Sequence, residues 1–274
     1  TGARQMRVIS EQGLLLLGCG KMGSALLKGW IEAGVPVQSI WINDPVPSEW
    51  VKSLGVHLNV GFPADPAVVL IAVKPQMMQA ALPSLRQLGD GKTLFVSVAA
   101  GVQLAQFQAM LGSRTPVVRV MPNTPAAVGQ GISALIGNAN ATQDHLALTD
   151  QLMASVGQVV HLDTETQMDA VTGVSGSGPA YVFHLIETLA AAGISEGLPR
   201  ALAFQLASAT VAGAGALAQS SDETAEQLRI NVTSPNGTTQ AALEVLMDPQ
   251  SGFGPLLKRA VGAASARSKE LSCG

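Results

Sequence analysis

The sequence predicts an α/β domain on a mostly parallel, doubly wound sheet, followed by an all-α domain. Three observations carry this. Short apolar runs alternate with helical patterns as far as Asp163, the first run ends in a glycine-rich turn, and strand signals stop beyond Asp163. The expected domains are therefore 1–163 and 164–274.

The elements follow in order. Arg4 to Leu17 starts basic, but Glu11 and Gln12 split its apolar part, which is a poor fit to a signal peptide; it reads as a ragged tail and then a strand. "LLLLG" (Leu14–Gly18) is a continuous apolar run, as in a strand buried on both faces. "SALLKGWIEAG" follows with helical spacing at Ala25, Leu26, Gly29, Trp30 and Ala33 and stops at Gly34. Further strands are expected at Ser39–Asp44, Val68–Val73, Thr93–Val98 and Pro116–Met121, with helices around Met77–Leu88 and Leu104–Leu111. "QGISALIG" and "GQVVHL" add a last strand or two around a helix from about Thr142 to Ser155.

Beyond Asp163 a helix is expected at "SGPAYVFHLIETLAAAG", capped by Ser177, with Pro179 in its first turn and Gly193 at its end; Pro199 starts another. "ALAFQLASATVAGAGALA" (Ala201–Ala218) approaches the length of a bilayer span. Its Ala and Gly content and Gln205 favour close helix packing in a core or subunit interface.

Composition bounds the function. With 274 residues, 47% hydrophobic and 13% charged, the chain can bury a large core. A net charge of -3 and no recurring basic face argue against nucleic acid as a partner. Cys19 and Cys273 make no disulfide framework, which favours a reducing compartment and a cytoplasmic location. His57, His145, His161 and His184 are scattered, so no metal is expected.

The turn after the first strand is "GCGKMG": Gly18, Cys19, Gly20, Lys21, Met22, Gly23. In the Rossmann dinucleotide-binding fold the first glycine makes the tight turn and the second admits the pyrophosphate. The third lets helix and strand pack closely, and the helix N-terminus offers N–H groups to the anion. With 29 glycines the bare pattern arises by chance roughly 0.3 times in such a chain, so its placement between strand and helix is the evidence. Asn43 and Asp44 end the second strand, where an acidic residue takes the ribose 2′-hydroxyl of NAD; the nearest cation suited to an NADP phosphate is Lys52. Ala72, Val73, Lys74 and Pro75, and Val98, Ala99, Ala100 and Gly101, end the next two strong strands, at the carboxyl edge where ligands sit. Lys74 fits a contact to a cofactor phosphate and a solvated loop equally.

In the second half, Tyr181 and His184 fall on an apolar helix, which favours a core or interface role over acid chemistry. No Lys occurs between Lys92 and Lys258, and no acidic pair or Ser-His-Asp ordering supports hydrolysis. A C=N substrate that arrives protonated needs no such donor. The run "INVTSPNGTTQAAL" (Ile230–Leu243) interrupts the helices with hydroxyls, a Pro and an Asn-Gly pair. From the residues alone it fits a helix cap.

"AVTGVSGSGPAYVFHLIETLAAAGISEGLPRALA" (Ala170–Ala203), "VTSPNGTTQAALEVL" (Val232–Leu246), "AVKP", "VAAGV" and "VRVMPNTPAAVGQG" (Val118–Gly131) together resemble pyrroline-5-carboxylate reductase. The resemblance runs from the glycine turn to "KRAVGAASARSKEL" near the C-terminus. It implies a Rossmann-type N-terminal domain and an all-α C-terminal dimerisation domain, with dimers often assembled into decamers. It also implies hydride transfer from NADPH, or NADH, to the C=N of 1-pyrroline-5-carboxylate, giving L-proline. By the same resemblance, "MPNTP" with Asn123 and the Val98–Gly101 loop flank the nicotinamide. Val232, Ser234, Asn236, Gly237, Thr238 and Thr239 hold the substrate carboxylate at a helix N-terminus. Asn236 stands where the family commonly shows a glycine. No side chain is assigned as a catalytic acid or base. A reductase of another imine or keto acid, or a non-catalytic dinucleotide-binding scaffold, shares the cofactor half and stays open.

Overall fold

The computed structural model describes residues 2–273. The described chain forms two compact units: the chain to Gly176 together with the segment from Ala264 onward, and Ser177–Ala263 between them.

The first unit begins with α1 (Gly2–Gln12) and β1 (Leu14–Leu17), then α2 (Lys21–Glu32), β2 (Ile40–Asn43), α3 (Glu49–Ser53), β3 (His57–Leu58) and β4 (Val68–Ile71). There follow α4 (Met78–Ala81) between 3-10 turns, β5 (Leu94–Ser97), α5 (Leu104–Leu111), β6 (Val117–Met121), β7 (Gly131–Gly137), α6 (Gln143–Ala154) and β8 (Gly157–His161). A 3-10 turn, α7 (Met168–Val171) and a π turn at Thr172–Gly176 lead out of it. The eight strands lie in the order β3-β2-β1-β4-β5-β6-β7-β8, parallel except where β6 meets β7. β1 sits between β2 and β4, so the strand order reverses there and opens a crevice at the strands' carboxyl ends.

Alternation along β1 fills both faces. Leu14 and Leu16 join Leu26, Trp30, Ile40, Val68 and Val118 in one core cluster, whereas Leu15 and Leu17 join Val69, Leu82, Phe95 and Phe107 in the other. Burying each such side chain stabilises by roughly 1.5–3 kcal/mol relative to leaving it exposed. The buried Trp30 indole stays satisfied by donating to the Leu152 carbonyl at 2.9 Å.

Two sequence expectations change here. The N-terminal tail is helix from Gly2, because Ile9 is fully buried and Met6 and Val8 pack against the same core. β3 is a two-residue strand created by pairing of His57 and Leu58 with Trp41 and Ile42. The compact units divide after Gly176, because the segment beyond Asp163 stays docked on the first: Met168 is fully buried, and Asp169 accepts from Ser268 Oγ at 2.6 Å in the returning C-terminal segment.

The second unit holds α8 (Gly178–Ser195), α9 (Arg200–Ser220), α10 (Ala225–Asn231), α11 (Thr238–Leu246) and the start of α12 (Phe253–Cys273). α8 and α9 pack through Ala190, Ala203 and Ala207, ringed by Ile186, Ile194, Leu198 and Phe204. Gly193 does not end α8. It lies inside the helix, where a Cβ would come within 3.2 Å of Leu198, and the chain reverses at Gly197 with φ +99°. Ser177 holds the N-cap position but makes no side-chain capping bond. His184 is exposed beside Glu187, 3.1 Å away, and Tyr181 is half-buried, so neither belongs to the core.

Candidate dinucleotide and substrate sites

The turn from β1 to α2 is built around three glycines with different jobs. Gly18 has φ +84°, and a Cβ there would press within 3.1 Å of the Ala72 carbonyl. At Gly23 a Cβ would lie 2.7 Å from the Gly18 oxygen, so only glycine lets α2 seat on the strand end. Gly20 differs: it is the N-cap of α2, it has no side-chain cap, and nothing lies within 4 Å of a built Cβ. A Cβ would fill space that the backbone leaves open, next to the unpaired N–H groups of the first helical turn. This cradle fits a dinucleotide pyrophosphate.

Around it, Cys19 donates its backbone N–H to Asp44 Oδ2 at 2.7 Å. Its thiol is buried 3.5 Å from Ser24 Oγ, and burial pushes it up, away from the thiolate. Lys21 is exposed at the start of α2, and Met22 packs on the core. Asp44 Oδ1 accepts the Val46 N–H at 2.8 Å. Asn59, at φ +54°, accepts from the Asp44 N–H at 2.9 Å and donates to the Asp44 carbonyl at 2.8 Å. Sequence reasoning missed Asn59, whose signal is an amide side chain at the turn after a short strand. Asn43 precedes this clamp, its carbonyl accepting the Gly18 N–H at 2.8 Å.

At the next strand ends, the Ala72 N–H donates to Leu17 O at 2.8 Å, Lys74 is exposed at the start of a 3-10 turn led by Pro75, and Val73 is half-buried. Ala99 donates to Ser97 Oγ at 3.2 Å, which shapes the Val98–Gly101 turn, and Gly101 has φ +74°. Asn123 is buried, with Oδ1 accepting from the Ile132 N–H at 2.9 Å, so its carbonyl end ties β6 to β7. Among the described residues no group of three His, Cys, Asp or Glu converges.

In the helical unit, Ser234 O accepts the Gly237 N–H at 3.0 Å, and Asn236 takes φ +56°, the backbone a glycine would adopt without strain. Gly237 is the N-cap of α11 and no side chain caps it; Gln240 reaches back to the Asn236 N–H at 2.7 Å instead. The capping reading of the hydroxyls is therefore not realised. Ser234 and Thr238 are exposed and Thr239 half-buried at a helix start whose first N–H groups lack side-chain partners, while Val232 lies exposed just before the turn.

Residues 165–271 match the family model for pyrroline-5-carboxylate reductase dimerisation, and residues 14–101 match the model for coenzyme F420-dependent NADP oxidoreductases. A pyrroline-5-carboxylate reductase of Pseudomonas aeruginosa is 41% identical over 96% of this chain and 98% of its own length. The chain belongs to the pyrroline-5-carboxylate reductase family. The family enzyme of Pisum sativum is 40% identical over 93% of this chain and 94% of its own. Among solved structures, the pyrroline-5-carboxylate reductase of Coxiella burnetii superposes with a TM-score of 0.89 at 32% identity, over 95% of this chain and 98% of that one. The Plasmodium falciparum pyrroline carboxylate reductase with NADP bound superposes with a TM-score of 0.80 at 29% identity, over 95% and 98%. A pyrroline-5-carboxylate reductase fold is thus an α/β Rossmann-type unit with a helical dimerisation unit, and this member is an oxidoreductase.

Proposed function

We propose that the protein reduces the C=N bond of 1-pyrroline-5-carboxylate to give L-proline, the last step of proline biosynthesis, with NADPH or NADH as the donor. The observation that carries this is kinship over nearly the whole chain, joined to an open glycine cradle at Gly20 where the fold binds dinucleotides. The bound dinucleotide supplies the hydride to the imine carbon.

The residues of the chain bind and orient. The Gly18–Gly23 turn presents its backbone N–H groups from Gly20 onward to the pyrophosphate, Lys74 adds a cation at the β4 edge, and Val98–Ala100 with Asn123 wall the nicotinamide end. In the helical unit, the N–H groups of Thr238 and Thr239 and the hydroxyls of Ser234, Thr238 and Thr239 take the substrate carboxylate beside the Asn236–Gly237 turn. An imine protonated before it binds becomes a secondary amine on gaining one hydride, so no side-chain acid or base is assigned.

The dimerisation match, and large apolar side chains such as Phe183, Leu206 and Leu217 exposed on α8 and α9, support a homodimer, which we extend to a decamer in the cytoplasm. α9 is long and apolar enough to cross a membrane by length and composition, and we assign its apolar surface to the subunit interface.

The test is loss of near-ultraviolet absorbance of NADPH and, in parallel, NADH on adding 1-pyrroline-5-carboxylate to the purified protein. Rapid loss with proline as product supports the reading. Cofactor binding without turnover overturns it and directs attention to other cyclic imines or keto acids, and then to a scaffold role.

A further inference from the structure

We propose that Asp44, held in place by Asn59, selects the dinucleotide and makes this enzyme prefer NADH to NADPH. The proposal rests on the dinucleotide reading above and decides which form the site takes.

Asp44 is tied to the cofactor cradle itself, since its Oδ2 accepts the N–H of Cys19, the residue before the open Gly20. Oδ1 is held by the Val46 N–H. Each oxygen keeps a second lone pair, so the carboxylate can still accept the proton of a ribose 2′-hydroxyl. It cannot swing aside to make room for a larger group. Asn59 fixes its backbone from both sides through the Asp44 N–H and carbonyl, and the Asn59 N–H is itself anchored to Ile42 O at 2.8 Å.

A 2′-phosphate carries close to two negative charges at neutral pH and would stand against this carboxylate. The cations of this segment have other partners, Lys52 in an exposed pair that water screens. No Arg occurs between Asn43 and Asp65. Lys52 Nζ lies 2.6 Å from Glu49 Oε1. His57 is stacked on Trp41 at 4.1 Å, with Nε2 2.9 Å from Gln38 O. Lys21 opens α2, at the pyrophosphate end of the turn. The segment therefore offers a fixed acceptor for a hydroxyl and no fixed cation for a phosphate.

The experiment is direct titration of the purified protein with NADH and with NADPH, followed by nicotinamide fluorescence, with 5′-AMP and 2′,5′-ADP as competing fragments. The expected result is at least tenfold tighter binding of NADH, and 5′-AMP competing at least tenfold better than 2′,5′-ADP. Asp44→Ser removes the charge and brings both ratios to within about threefold of unity. Asn59→Gly keeps the positive φ but loses the two side-chain bonds, and as a positioning change it gives an intermediate ratio at unchanged pyrophosphate affinity. NADPH binding as tightly as NADH to the unmodified protein overturns the selector while leaving the dinucleotide reading intact. Binding of neither overturns that reading itself.

Discussion

The guanidinium of Arg119, on the buried strand β6, lies 2.9 Å from Glu165 Oε1, and the same oxygen accepts the N–H of Leu104 at 2.8 Å. One carboxylate thus joins the centre of the sheet, the start of α5 and the segment that leaves the sheet after β8. The Arg119 side chain is 3% exposed and that of Glu165 27%, so the two partners are not equivalent.

Glu165→Ala strands a buried cation and frees the Leu104 N–H, and the expected loss is about 2–3 kcal/mol. Arg119→Met fills the same volume with apolar atoms and leaves Glu165 able to reach water, so it costs less. Urea midpoints of the two variants check the order. Equal losses would show that the pair acts through packing alone.

Gly20→Ala and Gly23→Ala separate binding from folding. At Gly20 the added methyl meets nothing and φ is -72°, so the melting temperature holds or rises slightly while dinucleotide affinity falls at least tenfold. At Gly23 the methyl meets the Gly18 carbonyl, and a stability loss of about 1–3 kcal/mol is expected. Calorimetric melting beside a fluorescence titration reads both quantities.

Thr239→Ala is expected to weaken substrate binding by about 1.5–3 kcal/mol, the scale of a hydrogen bond to a charged group. The readout is KM for the imine with the dinucleotide saturating. An unchanged KM and kcat would remove Thr239 from the site.

His145 gives a pH prediction. Its Nδ1 accepts the Thr142 N–H at 3.1 Å while Thr142 Oγ1 accepts the His145 N–H at 3.3 Å, closing a capping box at the start of α6. Burial pushes the imidazole below its ordinary value of 6.5, with Asp144 opposing. The folded state then binds the proton less readily than the unfolded chain. Its contribution to stability is complete above the unfolded value and is lost as pH falls below it. His145→Gln keeps an acceptor at the same position, and the slope of stability against pH between about 7 and 5 should flatten. An unaltered slope would place the acid sensitivity elsewhere.

The sequence by itself determined the parts that repeat a local pattern. The four leucines of β1, the glycine turn and the helix after it are legible because burial on both faces and a turn of restricted backbone each leave a mark within a few residues. The long motifs of the helical half likewise carried the resemblance on which the substrate reading rests.

The tertiary structure alone decided what depends on partners far apart in the chain. α1 is helix because Ile9 has a core to enter, and β3 exists only by pairing with β2. The C-terminal segment belongs to the first unit, where Ser268 meets Asp169, 99 residues away in sequence. Glu165 is indistinguishable in sequence from any solvated acid until Arg119 and Leu104 are brought to it, and Asn59 reads as a turn residue until its amide is seen to grip Asp44. Local spacing records which face of an element is apolar. Which polar group then waits across the gap is settled when the sheet assembles and burial makes an unpartnered group costly.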